Sequence, residues 1–143
     1  MLSVKLIALS TWHYESLCEV LILENTISYK SRKYATRAVN MYKYLTKEKR
    51  EFVLSKQFVR AATSIGANIA ESECAISEKD FLSKIYIALK ECNETIYWLG
   101  VLFDGEFITE KQYLSIKRDC VEMKRMMTAT TKTICNRRKN KFS

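Results

Sequence analysis

The chain has 143 residues, enough for one domain with a real hydrophobic core. It has no proline and three glycines, which argues against a sheet protein with frequent turns and for long helices with few loops. Its 24 Lys and Arg against 16 Asp and Glu give a net charge of +8, a balance that favours acidic partners such as nucleic acid.

Residues 1–26 stand apart. They hold the single histidine (His13), one of two tryptophans (Trp12) and the apolar run from Val20 to Leu23, with one Lys against three Glu. They read as an N-terminal extension: a strand or helix that docks on the domain, a loosely held segment, or residues upstream of a true start at Val20 or Leu23. We read them as weakly attached, because termini are ordered only where they are tied down. Met1 to Leu9 is apolar, but it has only Lys5 and no small-residue cleavage site, so a secretory signal is not expected.

The spacing of Ile27, Tyr34, Ala38, Met41 and Leu45 predicts a first helix over 27–45. A second helix is expected over 49–74, with Leu54, Phe58, Ala61, Ile65 and Ile69 on its apolar face. Beside that face runs a polar line, Gln57, Arg60, Ser64, Asn68 and Glu71. Small residues around Gly66 let neighbouring helices approach closely, so this helix reads as packed on two sides. A third helix starts at Glu78, with Ser77 as N-cap and Asp80 in the first turn, where a negative charge meets the helix dipole favourably. Its core series is Phe81, Ile85, Ala88, Cys92, Thr95, Leu99 and Leu102. Asp104-Gly105 ends it, with glycine expected in the left-handed cap. Thr109 to Gln112 is a capping box that opens a fourth helix carrying Tyr113, Ile116, Cys120, Met123, Met127, Thr130 and Ile134. Four helices with short connections give an all-α, up-down-up-down antiparallel bundle over 27–136, followed by a basic tail over 137–143.

Leu54 to Glu71, together with Asp80 to Leu99, resembles the four-helix-bundle family encoded in intervening sequences of bacterial 23S ribosomal RNA genes. That family in turn resembles the accessory variability determinant of diversity-generating retroelements. The resemblance runs from about Ile27 to Ile134. It implies assembly into a basic homopentameric ring, contact with nucleic acid or a reverse transcriptase, and no catalytic residues.

The residues give enzyme chemistry little support. A di-iron bundle needs Glu-x-x-His pairs facing inward, and the one histidine lies outside the bundle. Glu91 and Glu94 are three apart and read as ion-pair partners of Arg60 rather than as metal ligands. There is no glycine-rich phosphate loop or nucleophile elbow. The expectation is no catalysis, no metal and no cofactor. The five cysteines (Cys18, Cys74, Cys92, Cys120, Cys135) show no ligand spacing and read as reduced thiols of a cytoplasmic protein. No apolar run approaches the roughly 20 residues of a membrane span, so no membrane partner is expected.

The charges are uneven. Residues 27–60 carry ten Lys/Arg against two Glu, 61–104 carry three against seven acids, and 105–143 carry ten against four. The first and last helices of an antiparallel bundle are neighbours, so their basic faces can merge. The candidate nucleic-acid residues are therefore Lys30, Arg32, Lys33, Arg37, Lys117, Arg118, Lys124, Arg125, Arg137 and Arg138. Tyrosines among the basic residues of the first helix would suit single-stranded RNA, although Tyr34 and Tyr42 read as core. The polar line, with Glu91, Glu94 and Trp98, reads either as a hydrogen-bonded seam between the second and third helices or as a surface for another subunit or RNA. Trp98 either caps the core or anchors a subunit contact. Three functions compete: a nucleic-acid-binding bundle, a retroelement accessory protein joining a reverse transcriptase to its template RNA, and a plain scaffold.

Overall fold

The computed structural model describes residues 26–141, so the expected N-terminal extension, apart from Thr26, lies outside the described residues. Four α-helices follow one another: α1 (Ile27–Lys47), α2 (Leu54–Glu73), α3 (Glu78–Asp104) and α4 (Glu110–Lys141). Helix α1 packs on α2, α2 on α3, α3 on α4, and α4 back on α1. Every neighbouring pair is antiparallel, as the cross-helix bonds show. Ser28 of α1 reaches Glu73 of α2, Lys84 of α3 reaches Glu71 of α2, and Lys30 of α1 reaches Glu122 of α4. The expected up-down-up-down bundle is the fold.

The core is one cluster contributed by all four helices, with Tyr34, Leu45, Phe58, Ile65, Ile69, Leu99, Leu102, Met123 and Met127 almost wholly enclosed. Each such side chain stabilises the fold by about 1.5–3 kcal/mol relative to leaving it in water. Cys92 and Cys120 are buried among them as small hydrophobes, the Cys120 thiol donating to the Cys92 carbonyl at 3.6 Å. The Tyr34 hydroxyl is sealed beside these thiols, and burial pushes its pKa well up. Gly66 faces α1, where an added Cβ would stand 3.5 Å from the Ser31 carbonyl, so the two helices do approach closely.

Several local readings need correction. Helix α2 starts at Leu54, not Lys49, because Arg50 takes a left-handed backbone (φ 53°) and breaks the helical run. Glu51 then caps the new start. Its carboxylate accepts from the backbone N–H groups of Val53 (2.9 Å), Leu54 (2.7 Å) and Ser55 (2.6 Å). Burial alone would raise this carboxyl's pKa, but those N–H bonds outweigh it and hold the pKa below the ordinary value.

At the end of α3 the left-handed residue is Glu106 (φ 62°), while Gly105 stays at φ −78°. The Glu106 N–H bonds to the Phe103 carbonyl and the Phe107 N–H to the Leu102 carbonyl, which is a Schellman motif one residue later than expected. A Cβ at Gly105 would lie 3.1 Å from the Phe107 ring, a tight approach that the ring would have to relieve.

At the start of α3 Leu82 is buried while Phe81 is half-buried against the core, and near the end of α4 Thr131 rather than Thr130 is buried. Leu82 lies one turn from both Glu78 and Tyr86, which meet Arg138 and Cys135 of α4. The last turns of α4 therefore cover that face of α3. Residues 137–141 continue α4 as helix.

Two caps are as expected. Ser77 accepts from the Asp80 N–H at 3.1 Å, the Gln112 side chain accepts from the Thr109 N–H at 2.9 Å, and the Thr109 hydroxyl accepts from the Gln112 N–H at 3.3 Å.

Candidate nucleic-acid interface

Helix α1 carries six Lys/Arg and no acidic residue, and α4 carries ten against three. Helix α2 balances two against two, and α3 has three against five. Because α1 and α4 are neighbours, the bundle has one strongly basic half and one near-neutral half.

The ten candidate cations are not equivalent. Lys30 pairs with Glu122 at 2.6 Å. The Arg37 guanidinium holds both the Asp119 carboxylate and the Ser115 hydroxyl. These two residues bolt α1 to α4. Arg138 pairs with Glu78 at 2.5 Å and ties α4 to α3. Lys124 donates to the Asn93 side chain at 2.7 Å. Lys117 donates to the Tyr113 hydroxyl at 2.8 Å, its ammonium lying 4.9 Å over that ring, which is itself stacked on Phe103. Lys33 stands over the Tyr29 ring at 5.3 Å. Arg32, Lys33, Arg118, Arg125 and Arg137 are exposed, with Arg118 only 3.7 Å from Asp119.

The candidate set left out Lys111, Lys132 and Lys139, which fall in one series with Arg118 and Arg125. The five recur every seventh residue along α4, and all are exposed. The signal was the period of seven, four members of which already lay within the expected fourth helix, with only Lys139 in the expected tail.

The polar line lies on the other half. Arg60 pairs with Glu94, which also accepts from the Trp98 indole N–H at 3.2 Å, and Trp98 meets Tyr97 edge-on at 5.0 Å. Lys84 pairs with Glu71 at 2.6 Å. Ser64 and Asn68 bond to carbonyls of their own helix, and Gln57 is half-buried. The seam is not the enclosed pair that the helical pattern suggested, for the Arg60 and Glu94 side chains remain 52% and 36% exposed. Glu91 faces inward instead. Its Oε2 is buried without a hydrogen-bond partner, and burial, followed by the charge of Glu94, raises its pKa against the pull of Arg60.

Tyr86, Ile87 and Tyr97 are the large apolar side chains exposed along α3. Among the described residues, no group of three or more His, Cys, Asp or Glu side chains is placed to hold a metal ion. No helix among them is long and apolar enough to cross a membrane.

Fold and charge together define a helical bundle with one basic face. The 23S rRNA-intervening sequence protein family matches residues 24–129, and the chain belongs to that family. It is similar to a crystal structure from Bacteroides thetaiotaomicron, described as a protein of unknown function from the S23 ribosomal protein family. The two are 50% identical with a TM-score of 0.73, over 73% of this chain and 97% of that one. Among curated proteins, none matches significantly. Residues 130–141 of α4 lie beyond the family match.

Proposed function

We propose that this protein is a non-catalytic, self-associating bundle that binds the phosphate backbone of RNA or DNA through the joined face of α1 and α4. The observation that carries this reading is the segregation of charge. Two adjacent helices hold sixteen Lys/Arg against three acids, while the other two hold five against seven. A surface of one sign draws a polyanion and raises its association rate. Phosphate contacts position a protein without reading bases, so binding is weakly sequence-specific. The apolar side chains of α3 lie on the near-neutral half and suit self-contact, with the homopentameric ring following from the family resemblance. A ring repeats the basic face and raises avidity without new contacts.

The test is binding of RNA and DNA at low salt by the wild type and by a variant with Arg32, Lys33, Arg118 and Arg125 all changed to Glu. These four positions are exposed and leave the Lys30–Glu122 and Arg37–Asp119 bridges intact. The expected result is weaker binding to all sequences alike, with unchanged helix content. Absence of binding in the wild type would put the scaffold or reverse-transcriptase-partner reading in front. Light scattering that gives a monomer mass at micromolar concentration would remove self-association.

A further inference from the structure

Helix α4 presents Lys111, Arg118, Arg125, Lys132 and Lys139 at intervals of seven residues. At 1.5 Å per residue the steps are about 10.5 Å and the row is about 42 Å long. Seven residues fall about 20° short of two full turns, so the three central cations stay within about 40° of one another around the helix. Along this face lie two successive shallow hollows of about 460 and 490 Å³. Arg118, Arg125 and the acidic Glu122 line the first, and Arg125 and Lys132 the second, while Val121 lines both. Of the acids of α4 near the row, Asp119 and Glu122 are each held by a cation of α1, and Asp119 also lies 3.7 Å from Arg118.

Proteins that bind single strands add aromatic platforms to a basic groove. The basic half offers little of that kind. Tyr29, Tyr44 and Tyr113 each lie beneath a lysine ammonium, and the large apolar side chains exposed on α1 and α4 are Val39 and Leu114. A straight, rigid row of cations without stacking rings suits a polyanion that is itself rigid and keeps its bases paired.

We propose that the outward face of α4 is a track for the backbone of a nucleic-acid duplex. At about 3.4 Å of axis per base pair, the row spans about 12 base pairs. The inference rests on the nucleic-acid reading above and narrows it to one class of substrate. Lys132 and Lys139 lie past residue 129, so the far end of the track belongs to the part of α4 beyond the family match.

The experiment is fluorescence anisotropy of the full-length protein with blunt RNA and DNA duplexes of about 6, 12 and 18 base pairs and with single strands of the same lengths, from about 50 to 200 mM salt. The 12-base-pair duplex is expected to bind at least about 10-fold tighter than either the shorter duplex or the matched single strand. Five phosphate contacts give a log–log salt slope of about −4.5. Changing Arg118, Arg125 and Lys132 together to Gln should reduce that slope to about −2 and weaken duplex binding by about 100-fold at 0.1 M salt, with the circular dichroism spectrum unchanged. Single strands binding as tightly as duplexes, affinity indifferent to duplex length, or an unchanged slope in the triple variant would each overturn the track while leaving nucleic-acid binding in place. Failure of every oligonucleotide to bind at about 50 mM salt would overturn both.

Discussion

Replacing Glu51 by alanine would strip three backbone N–H groups at the start of α2 of the carboxylate that accepts from them. A lost helix cap costs about 1 kcal/mol and up to about 2. Hydrogen bonds to a charged group contribute about 1.5–3 kcal/mol each, but water reaches a frayed first turn and the three do not add. The expected loss is therefore about 2–3 kcal/mol at pH 7, a fall in Tm of about 10 °C for a domain of this size. The pH dependence carries a second signature. The folded carboxyl titrates below the unfolded value of about 4.3, so the unfolded chain takes up the proton first. The cap's contribution is fully present above about pH 5 and is lost as pH falls through the folded pKa. Glu51→Gln keeps one acceptor and no charge, so it should lose about 1 kcal/mol at pH 7 and show a flatter acid limb. Urea denaturation followed by far-ultraviolet circular dichroism, at one protein concentration and from about pH 7 to 3, measures all of this. A cost below about 0.5 kcal/mol for the alanine variant at pH 7, or a wild-type advantage that persists undiminished into acid, would refute the reasoning.

Three further outcomes are expected. Glu106→Gly should raise stability by about 0.5–1 kcal/mol by relieving a left-handed backbone, whereas Gly105→Ala should lower it by pressing on the Phe107 ring; an unchanged or lower Tm for Glu106→Gly would refute the cap assignment. Glu91→Gln should be more stable than the wild type at pH 7 by up to about 1 kcal/mol, because a raised carboxyl pKa means stability is lost as pH climbs from the unfolded value through the folded one; the advantage should vanish below about pH 4, and a Gln variant less stable at neutral pH would show that the charge is wanted. Arg60→Met should cost less than about 1 kcal/mol, since its pair with Glu94 is half-exposed, and a double-mutant cycle with Glu94→Gln that returns a coupling above about 2 kcal/mol would overturn that.

The bundle was legible because helical periodicity survives without knowledge of neighbours. Six of the seven core positions expected in the third helix are buried there, and the cap at Ser77 and the capping box at Thr109 use local geometry alone. Misreadings arose where a local cap overrode the apolar period or where a distant element decided. The start of α2 depends on a glutamate reaching forward to three N–H groups and on Arg50 breaking the run. Leu82 is enclosed because α4 runs far enough to cover it. Four of the five cations spaced by seven fell inside the expected fourth helix, and the continuation of that helix to Lys141 adds Lys139 to the row.

The sequence by itself determined the class of fold, the apolar stripes, the N-terminal caps of α3 and α4 and the concentration of positive charge in the first and last helices. All of these follow from the 3.6-residue period and from composition within single elements. Only the tertiary structure decided which charges remain available. The rotation of α1 against α4 spends Lys30 and Arg37 on Glu122 and Asp119 and leaves Arg32, Arg118 and Arg125 facing outward. It likewise put Glu94, not Glu91, against Arg60, and left that pair half in water. Periodicity names the face on which a residue lies, but the partner it meets there depends on the axial offset and roll of a second helix, and no single helix encodes those.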